Sequence, residues 1–432
     1  MKNRKALALI AILALVAAAC GGSDGGSDEA VVEVETTEAP ATTEAPTTTA
    51  ATAPASDPLI LASLMPLSGD LASLGPGIAL GAALAVEQIN AAGGINGQPV
   101  QLIEGDSGCD GAVALTSLND VIAQGAQGVM GAACSGTSLA ILDTAIAAEV
   151  VMVSPSNTSP QFTKIDKKGF YARTAPSDLL QGDVLASLLV EDGVQTVSII
   201  SRADSYGRGL AEATAAAFEA AGGTVKTIVY HATDASEFTS EVTAVGKGGA
   251  DAIVGILFPE TGCGVLQPAF EQGLLDTPWY MTDGVKDAGL ASLCGLGTAL
   301  DGFKGTAPGS AAGEAKDAFE AAYAEVSADG SPTFIFAPQA YDAVMLMAIS
   351  AAANGVTGPE IASGLVAASS GGEKCIGVAC IALAADGVDV DYVGASGEIE
   401  LNAVGDPTAA TYDIWTTEGD TNPVLKSVDF GS

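Results

Sequence analysis

From Pro58 onward the chain alternates apolar, β-prone runs with alanine-rich stretches, and this alternation limits the possible folds more than any other feature. "LILASLMPL" (59–67) reads as a strand and Gly77–Ala92 as the helix after it. "PVQLIEGD" (99–106), "QGVMGAA" (127–133) and "EVVMVSPS" (149–156) are further strands with helices between them. After "FYARTAP" (170–176) the pattern restarts with "TVSIISRAD" (196–204), "TVKTIVYH" (224–231), "ADAIVGILF" (250–258) and "PWYMTDG" (278–284). Parallel neighbours need long crossovers, so this order predicts an α/β fold of mostly parallel sheets flanked by helices on both faces. About 375 residues exceed what one core usually holds, and the restart predicts two domains. Ligands of such sheets lie outside the carboxyl ends of the strands. The loops at "MPLSGDLASLG", "GAACSGTS", "VSPSNTSP", "RADSYGRG", "LFPETG" and "MTDGV" are therefore where a site is expected.

Residues 1–19 are of another kind. Lys2, Arg4 and Lys5 precede an uncharged apolar run from Ala6 to Ala19, shorter than the ~20 residues of a bilayer span, which is the anatomy of a secretory signal peptide. The run ends on Cys20, where the segment resembles a bacterial lipobox, with Ala17 in the place that usually carries leucine. Acylation at Cys20 would bury more than one chain at about 0.8 kcal/mol per CH₂, enough for stable anchoring. Residues 21–57 hold eight acidic residues and no basic one, and "TTEAP" occurs at 36–40 and 42–46. Such a composition buries too little apolar surface to order itself, so 20–57 reads as a tether with its ends about 35 Å apart.

The full chain has 52 acidic against 16 basic residues, a formal charge of −36, which argues against nucleic acid or anionic lipid as partner. Beyond Cys20 remain Cys109, Cys134, Cys263, Cys294, Cys375 and Cys380, an even number in an exported chain. Pairing of neighbours, 109 with 134, 263 with 294 and 375 with 380, is the expectation, and the sequence alone admits other pairings. No cysteine or histidine spacing calls for a metal, and nothing calls for a cofactor. "GDSG" (105–108) imitates a serine-protease nucleophile loop, but a triad needs an imidazole and the chain has one histidine, His231, read here as a surface residue at a strand end. The expectation is a protein without catalytic residues.

The ordered set "MPLSGDLASLGPGIALGAALAVEQINAAGGINGQPVQLIEGDSGCD", "GAACSGTSLA", "VSPSNTSPQFT", "DSYGRGLAEA", "FPETG", "MTDGV" and "GEIELNAVGDPTAATYDIW" closely resembles the Leu/Ile/Val-binding protein family, the type I periplasmic substrate-binding proteins of branched-chain amino-acid ABC importers. The resemblance covers nearly all of 58–432. It implies a two-lobed Venus-flytrap fold with three hinge crossings, residues 58–176 and 306–395 forming one lobe and 177–305 and 396–432 the other. It also implies the Cys109–Cys134 bridge, whereas the other two pairs look like additions.

By position, the resemblance implies that Ser135 and Thr158 hold a ligand carboxylate, and that Asp283 and the main chain at Ser156 meet its ammonium. Tyr206 and Phe258 fall on aromatic positions of the site, and Leu74 stands where members usually have an aromatic. The implied function is an extracytoplasmic lipoprotein that captures an amino acid or similar small polar solute by lobe closure and delivers it to ABC permease subunits. A sensing receptor of the same fold, not coupled to transport, is the alternative. Its membrane contact would be the lipid anchor only. Cys20→Ser is expected to release the protein from the membrane fraction or block its processing, and fractionation of cells against wild type checks this.

Overall fold

The computed structural model describes residues 57–430. The segments read above as signal peptide and tether, with Cys20, lie outside the described residues up to residue 56. The first sheet is built from β1 (Ile60–Met65), β2 (Gln101–Asp106), β3 (Gly128–Gly131), β4 (Val151–Ser154) and β5 (Tyr171–Arg173) in the order β2-β1-β3-β4-β5. Every pairing in it is parallel, and β1, β3 and β4 are buried almost throughout, as strands covered on both faces must be.

The chain then makes β6 (Thr196–Arg202), β7 (Thr224–His231), β8 (Ala252–Ile256), β9 (Trp279–Met281) and β10 (Lys304–Pro308), followed by a small sheet of β11 (Glu373–Ile376), β12 (Val390–Gly394) and β13 (Gly397–Glu398). It closes with β14 (Ala410–Thr416) and β15 (Val424–Phe430). The second large sheet runs β15-β14-β10-β9-β8-β6-β7, parallel from β10 to β7 and antiparallel at β14 and β15. The result is a two-lobed α/β fold with one large sheet per lobe.

Helices cover both faces. The helix Gly75–Ala91 starts two residues earlier than its sequence pattern suggests, because Pro76 supplies a preset φ for the first turn. It packs on Ala337–Asn354, a helix buried on every side from Ala337 to Ala351. Gly81 permits that approach, since a Cβ there would lie 2.2 Å from the carbonyl oxygen of Ala337.

The backbone crosses between the lobes three times, with two boundaries displaced from 306 and 396. Residues 306–308 extend β10 because Thr306 pairs with Ile414 and Pro308 with Tyr412 of β14. Residues 396–409 stay on the first lobe: the Arg173 amide donates to the Gly405 carbonyl at 2.9 Å, and the Leu401 amide to Ser369 Oγ at 3.0 Å. The reason is a charge. Arg173 is fully buried, and its guanidinium Nε meets Asp406 Oδ1 at 2.9 Å, so the chain must bring Asp406 to it before it can leave.

Among the described residues the disulfides are Cys109–Cys134, Cys263–Cys294 and Cys375–Cys380. His231 corrects the sequence reading: it ends β7 but is buried, with Nδ1 2.9 Å from the Ala232 carbonyl and its ring 4.5 Å from that of Phe238. Burial lowers its pKa. Asp406→Ala strands a buried guanidinium, and also the nearby Lys167 ammonium, so it is expected to cost about 3–5 kcal/mol, read from the midpoint of urea unfolding.

Candidate functional site

The strands of both lobes end toward one another, and the loops that leave them enclose a cavity. From the first lobe come Leu71 and Leu74 after β1, Ile78 on the helix Gly75–Ala91, Ala133 and Ser135 after β3, Ser156 after β4, and Phe336 ahead of the helix Ala337–Asn354. From the second come Tyr206 after β6, Phe258 after β8, and Asp283 and Gly284 after β9. The space open to a water-sized sphere is about 20 Å³, room for roughly one water. The lobes are therefore closed on each other, and any solute larger than water requires them to part.

Of the seven residues singled out in the sequence, six line this cavity: Leu74, Ser135, Ser156, Tyr206, Phe258 and Asp283. Thr158 does not. It is fully buried in the same loop as Ser156, its carbonyl accepts from the Asp178 amide at 2.8 Å, and its hydroxyl faces the Asp178 carboxylate. The sequence reading passed over Leu71, Ile78, Ala133, Gly284 and Phe336. Phe336 supplies the aromatic wall on the side of Leu74, and no motif announces it because it sits in an irregular segment with φ of 60°.

Each side of the cavity has its own support. Ser135 begins the helix Ser135–Ala147, whose N-cap residue, Cys134, contributes no side-chain cap. A helix start without a cap presents backbone N–H groups and the positive end of the macrodipole, a place for a carboxylate. The Cys109–Cys134 bridge ties this start to the loop after β2. The loop carrying Ser156 is held by Asn157, whose Nδ2 donates to the carbonyls of Ala132 and Ala133 at 3.1 and 2.8 Å. Arg173 adds two bonds of 3.0 Å, to the carbonyls of Asn157 and Ser159.

Across the cavity, Asp283 is 3% exposed and takes hydrogen bonds from Gln181 Nε2 at 2.8 Å and the Tyr206 hydroxyl at 2.9 Å. Burial pushes its pKa up to about 6, against those two donors. Asp178, also fully buried, has the Thr158 hydroxyl beside it, and burial together with the Asp283 charge drives its pKa well up against that hydroxyl and Arg173. The Tyr206 ring stacks on Phe258 with centroids 5.3 Å apart, so the carboxylate rests against an aromatic wall. Gln181 and Asp178 escaped the sequence reading because their helix, Asp178–Glu191, carries no motif and meets Asp283 only through the fold.

The arrangement places a buried carboxylate on one lobe, an uncapped helix start with two serines on the other, and leucine, isoleucine and aromatic side chains between. It holds polar groups for the two ends of a zwitterion and apolar surface for what lies between them. Among the described residues, no group of three or more His, Cys, Asp or Glu is arranged to hold a metal ion.

Comparison with known proteins agrees with this architecture. A family model described as "Periplasmic binding protein" matches residues 58–374. A Leucine-, isoleucine-, valine-, threonine-, and alanine-binding protein of Pseudomonas aeruginosa is 29% identical over 315 residues, 71% of this chain and 81% of the relative. An amino acid binding protein of the same species is 34% identical over 238 residues, 53% of this chain and 62% of the relative. Among solved structures, a branched-chain amino acid transporter substrate binding protein from Streptococcus pneumoniae, in complex with isoleucine, has a TM-score of 0.72 at 22% identity over 87% of this chain and all of that one. A solute binding protein of an ABC transporter from R. palustris, in complex with benzoate, has a TM-score of 0.71 at 18% identity over 87% and 98%. At these identities the structures show a shared fold.

The Asp283 pKa gives a test that needs no ligand. A carboxyl whose folded pKa is raised from 3.8 to about 6 stabilises the protein fully below the unfolded value, and that contribution is lost as pH rises through about 6. The free Asp283→Asn variant is expected to melt at or above the wild-type temperature at pH 7 and to lose part of the fall in melting temperature between pH 4 and 6, seen by calorimetry across that range.

Proposed function

The chain belongs to the periplasmic binding protein family, and on that premise we propose that it is an extracytoplasmic solute receptor that captures an amino acid with an apolar side chain and delivers it to an ABC importer. The observation that carries this reading is Asp283, a carboxylate buried in the wall of a closed inter-lobe cavity. Ionised there without a cation, it sits in unfavourable surroundings; an α-ammonium relieves them. The ligand's carboxylate goes to the start of the helix at Ser135, and the Ser156 carbonyl accepts from the ammonium beside Asp283. The side chain lies among Leu71, Leu74, Ile78, Phe258 and Phe336.

The relatives point the same way. One is named for leucine, isoleucine, valine, threonine and alanine, and a protein of this fold holds isoleucine. Another of the same fold holds benzoate, which has no ammonium, and Asp283 argues against that class here because it would be buried without a counter-ion. Thr158 reaches the ligand only if opening of the lobes uncovers its hydroxyl, which makes it a weaker donor than Ser135.

Binding by lobe closure follows from where these groups sit. Neither lobe alone offers both ends of the site, so the ligand contacts the closed state more fully than the open one and shifts the equilibrium toward it. A permease reads the closed form. The anchor belongs to the same reading: lipid on Cys20 and an acidic tether of residues 20–57 keep the receptor beside its membrane partner.

Thermal shifts against apolar amino acids and benzoate test the proposal, since a ligand at 100 times its Kd adds about 2.7 kcal/mol. Leucine-like amino acids are expected to stabilise the protein and benzoate is not. Asp283→Ala should weaken amino-acid binding by about 2–5 kcal/mol in calorimetry, and wild-type affinity should fall as pH drops through about 6, where Asp283 takes up its proton. Stabilisation by benzoate with wild-type affinity retained in Asp283→Ala would sink the amino-acid reading.

A further inference from the structure

Outside the ligand cavity, one charged side chain bridges the two lobes, beside neutral contacts such as Ser159 Oγ to the Ser205 carbonyl at 3.0 Å. Arg202, the last residue of β6 in the second lobe, is 2% exposed. Its Nη1 donates to Asp70 Oδ2 of the first lobe at 2.8 Å and to Thr261 Oγ1 at 2.9 Å, and its Nε to Asp204 Oδ2 at 2.8 Å. The guanidinium carbon lies over Phe258, 3.9 Å from the ring centroid. Next to it, Glu260 reaches across the cleft and accepts the amides of Leu71 at 2.8 Å and Ser73 at 3.0 Å. Arg202 thus pairs with Asp70 across the cleft and with Asp204 on its own lobe, while the Glu260 charge is felt at Asp70.

The position of this cluster matters as much as its charge. Arg202 and Asp70 line a cavity of about 340 Å³ at the mouth of the cleft, with Asp110, Asp204 and Asp234. Phe258, under the guanidinium, lines the inner cavity. The ion pair is the partition between them. The stacked column then continues inward, from Arg202 to Phe258, to Tyr206, and by the tyrosine hydroxyl to Asp283.

We propose that Arg202 is the positioning residue that sets lobe closure, neutralising carboxylates that would otherwise hold the cleft open and seating the Phe258 wall of the site. This rests on the closing-receptor reading above, but its consequence exists in the free protein. Burial raises the Asp70 carboxyl, Arg202 opposes the rise, and Glu260 and Asp204 add to it, so the three acids do feel one another across the cleft. Without the guanidinium, closing the lobes would bring Asp70 against Asp204 and Glu260 with nothing between, and like charges so placed oppose association. Arginine suits the task because its planar fork serves two acids at once while its face covers an aromatic ring.

The experiment is done on the free protein, so it stays decisive whatever the solute proves to be. Small-angle scattering reads the radius of gyration, and hydrogen exchange reads the amides of Leu71 and Ser73, which Glu260 covers only in the closed arrangement. Arg202→Gln is expected to enlarge the radius and to speed exchange at both amides by about tenfold or more. Adding Asp70→Asn to that variant removes one of the repelling charges and should return both readouts most of the way. So should 1 M salt, where the screening length is about 3 Å. Should Arg202→Gln not fold, Arg202→Lys keeps the cation without the fork and is expected to fall between wild type and open. Wild-type radius and exchange in these variants, or an opening that neither Asp70→Asn nor salt reverses, overturns the proposal.

Discussion

A fully buried guanidinium has to be satisfied, and much of this molecule is arranged around satisfying Arg173. Its Nε takes Asp406, a residue 233 positions later in the chain. Its Nη1 donates to two carbonyls of the loop that carries Ser156, and its Nη2 to Thr163 Oγ1 at 3.1 Å. Thr163 in turn donates to the other oxygen of Asp406 at 2.6 Å. One cation therefore determines the shape of a site loop and the point at which the last segment leaves the first lobe. Cations of this kind are few in a chain with 16 basic residues against 52 acidic ones, and several of those in the folded body are spent in just this way. Arg202 holds Asp70 and Asp204, and Lys304 holds Asp192.

The ligand cavity inverts that logic. Asp283 and Asp178 are acids without an ion pair among the described residues, and burial raises both pKa values. Gln181 and Tyr206 orient the Asp283 carboxylate without neutralising it. A protein gains no stability from such an arrangement, and this is what supports the proposal that a ligand supplies the missing charge. The opposite wall follows the same economy, because the helix beginning at Ser135 lacks a side-chain cap that a carboxylate would replace. Function is concentrated where the fold leaves polar groups incompletely answered.

Closure links the two sets. The cavity has room for about one water, and the lobes meet through the Arg202–Asp70 pair and the Glu260 bonds to Leu71 and Ser73. The loop they grip, 67–74, is itself fixed from below by Asp106, which accepts the Leu67 amide at 2.9 Å and the Ser68 hydroxyl at 2.5 Å. "GDSG", which imitates a nucleophile loop, is in fact the end of β2 turning to hold that neighbour. The disulfides reinforce both sides, Cys109–Cys134 behind Ser135 and Cys263–Cys294 behind the helix that follows Phe258.

What the amino-acid order determined on its own was periodicity and its immediate consequences. Apolar β-prone runs separated by helical stretches require parallel sheets with crossovers, and parallel sheets gather their loops at the carboxyl ends, which pointed to the loops of the site; Ser135, Ser156, Tyr206, Phe258 and Asp283 within them came only from the family resemblance. Neighbouring cysteines paired as their proximity suggested. Tertiary structure decided everything that depends on distant residues meeting. Thr158 left the cavity wall because its loop turns inward to meet Asp178, and His231 was buried because Phe238 folds over it. Phe336, Gln181 and the Arg202–Asp70 pair had no local signal at all. Periodicity is a property of neighbours along the chain, whereas charge pairing and cavity shape are properties of neighbours in space, and Arg173 and its partner Asp406 lie 233 residues apart.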